Sequence, residues 1–400
     1  MDINELMQQA VQFHHGRRLQ KAEKLYRDIL KIQPNQPGAN HNLGLLAMQT
    51  GNPALGLPYL QKAWKINPHG EQFCLTLAEC LLRLDHSSEA LQIIENAMQR
   101  EGLKSAHARR MLQLATSIVE GKRPSFSIEQ EISNLLKMGH FALLEERLSL
   151  LLNQYPNWGE GWDTLCTTLQ IQGKDGEGAL QRALQLIPDN ADAHKHRKIF
   201  CIGANKTGTT SMEFVFRSLG LAVGNQGQAE MLRHDWARQD YRRIIRYCQS
   251  AEAFQDAPFS YEGTFRWMDE AFPRSKFILT VRNNADEWFE SLVRFHSWLV
   301  GKGRIPTADD LRQFNYCYRG FLWDSFKLRF GDDESRLYNR EMYMQRYEEH
   351  NKEIKEYFKD RPDDLLVLNI AEPDAMQRLL VFLGYPYTGQ KMPHLNASKN

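Results

Sequence analysis

Small apolar residues recur along the first third of the chain at a fixed step of 34 positions. Ala10, Gly44 and Ala78 share one register, and Ala22, Gly56 and Ala90 share another. Bulky residues keep the same step at Tyr26, Leu60 and Ile94; a further line joins Ile29, Ala63 and Ala97, and Pro34 returns as Pro68. Five lines in one register predict a repeated pair of antiparallel helices over about residues 3–118. Small residues let the two helices approach, large ones fill the gap beside them, and proline ends the second helix. The stretch Gly121–Ser125 then interrupts the helices. Beyond it a looser half-repeat runs through Gly139, Leu144, Leu148, Leu151 and Pro156, and a full one through Trp162, Leu165, Gly173, Leu180, Ala183 and Pro188.

After Asp189–Asp192 this periodicity stops. Lys198–Ile202 reads as a short buried strand bounded by Gly203. Met212, Val215, Phe216 and Leu219 follow at helical spacing, closed by Gly220. Strand, tight loop and helix begin a βαβ unit and a parallel sheet. Lys276–Val281 is a second predicted strand, followed by a helix carrying Trp288 and Leu292. Leu365–Asn369 is a third, followed by a helix through Met376, Leu379, Leu380 and Leu383 to Gly384. The predicted fold class is therefore α+α/β: a helical solenoid, then an α/β domain that opens on a phosphate-loop-like turn. The expected boundaries are 1–120 for the regular repeats, 121–195 for the looser ones and 196–400 for the α/β domain.

Composition narrows the function classes. Of 400 residues, 42% are apolar and 25% charged, so the chain can bury a core in each domain and is not a disordered or fibrous protein. Fifty Lys and Arg against 49 Asp and Glu leave +1, too little to draw nucleic acid or an anionic membrane by overall charge. Any anion must be held locally. No apolar run reaches the roughly 18 residues of a membrane span, and the first twenty residues lack a signal-peptide core. The six cysteines are scattered, without CxxC or metal-ligand spacing, so the expectation is a cytoplasmic protein with reduced thiols and no metal site.

The turn after the first strand, Gly203-Ala204-Asn205-Lys206-Thr207-Gly208-Thr209-Thr210-Ser211, joins a strand to a helix N-terminus, where backbone N–H groups can cradle an anion. It is not a Walker A loop, because Thr209 stands where that motif has lysine directly after its second glycine. The strand from Lys276 ends in Arg282 rather than in a carboxylate that could hold Mg²⁺. Cations and hydroxyls without a metal ligand suit sulfuryl transfer, whose migrating group carries less negative charge than a γ-phosphoryl group. A nucleotide kinase or NTPase, and a fold that has lost catalysis, remain the alternatives on these residues.

Two resemblances bear on that choice. The first repeat, Ala22-x3-Tyr26-x7-Pro34, resembles the tetratricopeptide repeat, whose stacked helix pairs form a groove for a peptide or protein partner. A plain helical spacer fits the same residues. Lys206-Thr207-Gly208-Thr209-Thr210 resembles the 5′-phosphosulfate loop of sulfotransferases that use 3′-phosphoadenosine 5′-phosphosulfate (PAPS) and release the bisphosphate PAP. Arg282 and Ser291 resemble that family's 3′-phosphate clamp, although their spacing is nine residues where the family usually shows eight. Phe254-Gln255-Asp256-Ala257-Pro258 stands where small-molecule members carry His-x-Pro with the catalytic base. Tyr347–Asn351, Tyr357-Phe358, Asp363–Leu368, Phe382-Leu383-Gly384 and Pro393–Asn396 complete a likeness to bacterial members over about 198–400.

The resemblance implies a PAPS-dependent sulfotransferase that needs no metal. Lys206, Thr207, Gly208, Thr209, Thr210, Ser211, Arg282 and Ser291 would hold the donor, and Lys206 and Asp256 would act in catalysis. A free aspartate titrates near about 3.9, so Asp256 needs burial to serve as a base, and His234 and His296 are rivals. The acceptor is a hydroxyl on a glycan, peptide or small molecule, met by the segment Ser297–Gly331. Arg233, Arg238, Arg242, Arg243 and Arg246 form a basic run that is either a solvated helix face or a surface for an acidic acceptor.

Overall fold

The computed structural model describes residues 2–16, 18–99, 105–187 and 197–393. Helices α1 (Ile3–His15), α2 (Leu19–Ile32), α3 (Pro37–Gln49), α4 (Pro53–Ile66), α5 (Glu71–Arg83) and α6 (Ser87–Gln99) realise the 34-residue step: α1, α3 and α5 start 34 positions apart, as do α2, α4 and α6. Every residue of the four helical lines is buried in its helix, and Pro34 and Pro68 follow the ends of α2 and α4. The fit is tight. A Cβ on Gly56 would stand 2.7 Å from the Gly44 carbonyl oxygen, so the α3–α4 crossing admits nothing larger than glycine there. Helices α7 (Ala106–Val119), α8 (Phe126–Met138), α9 (Phe141–Gln154), α10 (Gly159–Ile171) and α11 (Glu177–Leu186) follow. The helix expected through Ala191, Ala193 and His194 lies outside the described residues, as do residues 394–396 of the terminal motif.

Two compact units result: Met1–Asn134 with Glu146–Trp158, and Leu135–Glu145 with Gly159–Asn400. The second is built on four parallel strands, β1 (Ile199–Cys201), β2 (Ala253–Gln255), β3 (Lys276–Thr280) and β4 (Leu365–Leu368), in the order β2-β1-β3-β4. Phe200 pairs with Phe254 on one side and Phe277 on the other, and both neighbouring rings stack on it with centroids 5.5 Å away. This aromatic row forms one face of the sheet. The opposite face, Ile199, Cys201, Ala253 and Ile278, packs against α12 (Thr209–Ser218) and α21 (Ala375–Leu383). With both faces covered, the strands read as apolar runs, which made β1, β3 and β4 visible in the sequence. Strand β2 is three residues long and gave no such run.

Between β1 and β2 lie α13 (Gln226–Glu230), α14 (Arg233–Ala237) and α15 (Arg242–Cys248); α16 (Thr264–Ala271) precedes β3. Four helices, α17 (Ala285–Leu299), α18 (Ala308–Gln313), α19 (Phe321–Phe330) and α20 (Arg340–Tyr357), fill the long passage from β3 to β4. Chain direction reverses about β1: the path leaves to β2 on one side and returns to β3 on the other. In open parallel sheets the crevice at such a switch point, beyond the carboxyl ends of the strands, is where ligands bind.

The basic run divides: Arg238 and Arg242 stand exposed, as a solvated face requires, whereas Arg233 and Arg243 are buried. Arg243 is buried and donates to Asp235 (2.9 Å), to Asp163 on α10 (2.8 Å) and to the Thr167 hydroxyl (2.7 Å). Gln170 on α10 completes the cluster by donating to Asp235 at 3.0 Å. Arg242 reaches Glu177 on α11, and Arg238 reaches the Lys174 carbonyl. Arg233 turns the other way, toward Tyr318 and the Phe321 carbonyl. Arg238, Arg242 and Arg243 thereby fasten α10, α11 and the turn between them to the α/β fold. Arg243→Ala leaves Asp235 buried without its cation, bonded to the neutral Gln170 amide, so it should destabilise the second unit by about 3–5 kcal/mol. Urea denaturation followed by intrinsic fluorescence reads this; an unchanged midpoint would show that the cluster does not hold the helices.

Candidate active site

The carboxyl ends of β1, β2 and β3 converge on one cavity of about 610 Å³. Lys206, Gly208, Thr209 and Thr210 line it from the turn after β1, Asp256 from the end of β2, Arg282 from the end of β3 and Ser291 from α17. Residues far apart in sequence meet here because parallel strands deliver all their carboxyl ends to one edge. Thr207 and Ser211 are buried and outside the lining. The Thr207 hydroxyl faces the sheet, 2.6 Å from both the Thr280 hydroxyl and the Ala204 carbonyl, and so fixes the turn onto β3.

The turn is held from several sides. Trp288 Nε1 donates to the Asn205 carbonyl at 2.8 Å, and Arg282 Nε donates to the Lys206 carbonyl at 3.0 Å. Trp288 stacks on Tyr347, whose hydroxyl accepts from the Arg282 backbone N–H at 3.0 Å. Gly208 takes φ +115° as the N-cap of α12 and has no side chain to cap the helix's first turn. The N-terminus of α12 borders the cavity at Thr209 and Thr210, where the helix dipole favours an anion.

Two non-glycine residues adopt left-handed backbone here, Lys206 at φ +73° and Asp256 at φ +64°. Such conformations cost roughly 1–2 kcal/mol and concentrate where function requires them. The Lys206 ammonium lies 3.5 Å from the centre of the Phe295 ring, a cation–π contact. Burial lowers its pKa, with the Asp256 charge opposing and Arg282 adding to the effect.

Asp256 is raised above the ordinary carboxylate range by burial, partly offset by its hydrogen bonds and by Lys206. One of its oxygens accepts from Asn205 Nδ2 and from the Ala257 N–H at 3.0 Å; the other accepts from the Thr209 hydroxyl at 3.1 Å. Three of about four acceptor positions on the carboxylate are thus taken. His296 also lines the cavity; Nδ1 lies 2.8 Å from the Tyr338 hydroxyl, and burial and Lys206 push its pKa down to about 4. His234 is buried outside the lining, likewise pushed down to about 4 by burial and Arg233. Arg282 carries a 3.5 Å ion pair to Glu287 besides its bond to Lys206.

Sequence reasoning missed Glu230, Phe295, Tyr261, Tyr338 and Tyr343, whereas Tyr316 and Phe321 of the segment Ser297–Gly331 do line the cavity. Glu230 lies on a five-residue helix with no periodicity to mark it. Among the described residues no group of three His, Cys, Asp or Glu is arranged to hold a metal ion, and no helix is long and apolar enough to cross a membrane.

Lys206→Gly should leave stability equal or slightly raised, since relief of about 1–2 kcal/mol of left-handed strain outweighs glycine's extra unfolded-state entropy of about 0.5–1 kcal/mol. Differential scanning calorimetry tests it. A clear fall in Tm would mean that the contact with Phe295 contributes more than the strain costs.

Comparison with known proteins bears on both halves of the chain. A family model described as a sulfotransferase domain matches residues 198–400, and one described as a tetratricopeptide repeat matches residues 47–113. No curated protein matches the chain. Similar solved structures include the MamA protein, with 15% identity over 46% of this chain and 91% of that one and a TM-score of 0.29. Another is YrrB, titled a TPR protein with an unusual peptide-binding site, with 14% identity over 47% of this chain and 88% of that one and a TM-score of 0.30. The chain belongs to the sulfotransferase domain family and carries a tetratricopeptide repeat region ahead of that domain.

Proposed function

We propose that the protein transfers a sulfuryl group from PAPS to the hydroxyl of an acceptor. The observation that carries this reading is the meeting, in one cavity, of a lysine-bearing turn at a helix N-terminus, an arginine at the next strand end and a buried carboxylate. The residues fit the donor: a cradle without a capping side chain suits its 5′-phosphate, and Arg282 with Ser291 suits its 3′-phosphate. When bound, the donor supplies a sulfuryl group whose sulfur bonds to the acceptor oxygen as its bond to the 5′-phosphate oxygen breaks. Asp256 takes the acceptor's proton; its raised pKa brings it nearer the proton it must accept. Lys206 and the amides of α12 stabilise negative charge gathering on the departing phosphate oxygen. The repeats contribute a surface for a partner or an extended acceptor and no chemistry.

This reading predicts that PAP binds in EDTA and that Mg-ATP does not compete with it, as isothermal calorimetry will show; Mg²⁺-dependent ATP turnover would favour a nucleotide kinase instead. Arg282→Ala should raise the apparent PAPS KM about tenfold or more with a smaller effect on kcat, because its contact exists in ground and transition states alike. A loss confined to kcat would remove Arg282 from the clamp.

The acid side of the rate profile reports Asp256. Activity should fall as pH drops through a value above the ordinary carboxylate range, where the base becomes protonated. Asp256→Asn should lower kcat by about a hundredfold or more and abolish that limb while PAP still binds. The readout is PAP release with any hydroxyl acceptor that supports turnover. A variant that kept both rate and limb would pass the base role to His296.

A further inference from the structure

Thr209 faces two anions with one proton. It is 4% exposed, and its hydroxyl donates to Oδ2 of Asp256 at 3.1 Å. It is also the first residue of α12 and lines the cavity from the turn that suits the donor's 5′-phosphate. Ionised carboxylate and phosphate oxygens only accept, and a hydroxyl has a single proton to give. Thr209 can therefore serve Asp256 or the phosphate, never both at once.

The two oxygens of Asp256 are held differently. Oδ1 accepts from Asn205 Nδ2 and from the Ala257 N–H, whereas Oδ2 accepts from Thr209. Asn205 is itself fixed, its Oδ1 accepting from the Ser260 hydroxyl at 3.2 Å and its carbonyl from Trp288. Release of Thr209 thus leaves the carboxylate anchored through Oδ1 and opens Oδ2. The bond also governs how readily Asp256 takes a proton. Burial raises its carboxyl, and the Thr209 hydroxyl pulls it back most, ahead of the Ala257 N–H and Lys206. The titratable groups facing it are Lys206 on the turn, Glu213 on α12, Glu230 on α13, Cys201 on β1, and Tyr261 and Tyr316. Lys206 is the one cation of that set. An anion in the turn competes for Lys206 as well as for Thr209, and both changes make Asp256 a stronger base.

We propose that Thr209 is a switch coupling donor loading to the base. In the free protein it covers Oδ2 of Asp256; the donor's 5′-phosphate draws the hydroxyl away and exposes that oxygen to the acceptor. The proposal rests on the sulfotransferase reading for the identity of the anion.

The test needs PAP alone. Isothermal calorimetry of the full-length protein, between about pH 5 and 7 in buffers of differing ionisation enthalpy, counts the protons taken up as PAP binds. A carboxyl that rises on loading takes up protons between its free and loaded values. Thr209→Val deletes the hydroxyl at nearly constant volume and should cut that uptake about twofold or more, because the bond is already gone. Thr209→Ser should restore it. With Asp256→Asn in place, Thr209→Val should leave the uptake unchanged, which separates the switch from protons exchanged by PAP itself. PAP affinity should fall less than about fivefold in Thr209→Val, since the hydroxyl trades one bond for another on loading. Thr209→Ala removes the same hydroxyl and takes the place of the valine variant if that one does not fold. Three results would overturn the switch while leaving the donor reading in place: uptake equal with and without the hydroxyl, a Thr209 effect that persists without Asp256, or loss of PAP binding in the hydroxyl-free variants. Failure of PAP to bind the wild-type protein would overturn both.

Discussion

A buried carboxylate at the end of β2 holds the site together. Asp256 accepts from Asn205 and Thr209, which flank the lysine of the turn after β1, so one side chain ties two parallel strand ends across the cavity. The same group is raised by burial and carries left-handed backbone. The aromatic row of Phe200, Phe254 and Phe277 packs across β1, β2 and β3 in their register. Were that register to slip by one residue, Asp256 would point to the other face and the turn would lose its anchor. Position of the carboxylate, shape of the turn and packing of the sheet are one constraint.

The lysine is governed by the same geometry. Its carbonyl is fixed by Arg282 and its ammonium rests against Phe295, so the side chain is already partly desolvated. A cation held this way needs less reorganisation when negative charge develops beside it, which is where preorganised sites gain most of their rate. Glu230 and Asp256 line the same cavity as Lys206, Arg282 and Arg294, so groups of both signs meet in one site.

Much of the fold and of the site was legible in the sequence, for physical reasons. Helices repeated at 34-residue steps leave small residues where backbones cross, so Gly44 and Gly56 mark the α3–α4 crossing by their spacing alone. Strands buried on both faces print as apolar runs, and a glycine-bearing turn after such a run marks an anion cradle. Other features carried no local mark. Strand β2 is as short as β1, but Gln255 and Asp256 cut off its apolar run where β1 continues into Ile202, so it is recognisable only from its pairing with β1. Arg243 finds its partner Asp163 on α10, 80 positions away, so helical spacing alone could not tell a structural arginine from a ligand-binding one. Glu230 closes a five-residue helix whose placement depends on tertiary packing, whereas Phe295 lies one turn after Ser291 on α17, where helical spacing could have found it.

The most direct measurement is a crystal structure of the protein with PAP. The account predicts the 5′-phosphate on the backbone N–H groups of the turn from Lys206 to Thr210, the 3′-phosphate at Arg282 and Ser291, and Asp256 facing the space left for an acceptor oxygen. Density for PAP elsewhere, or a 5′-phosphate out of reach of the turn and of Lys206, would contradict it.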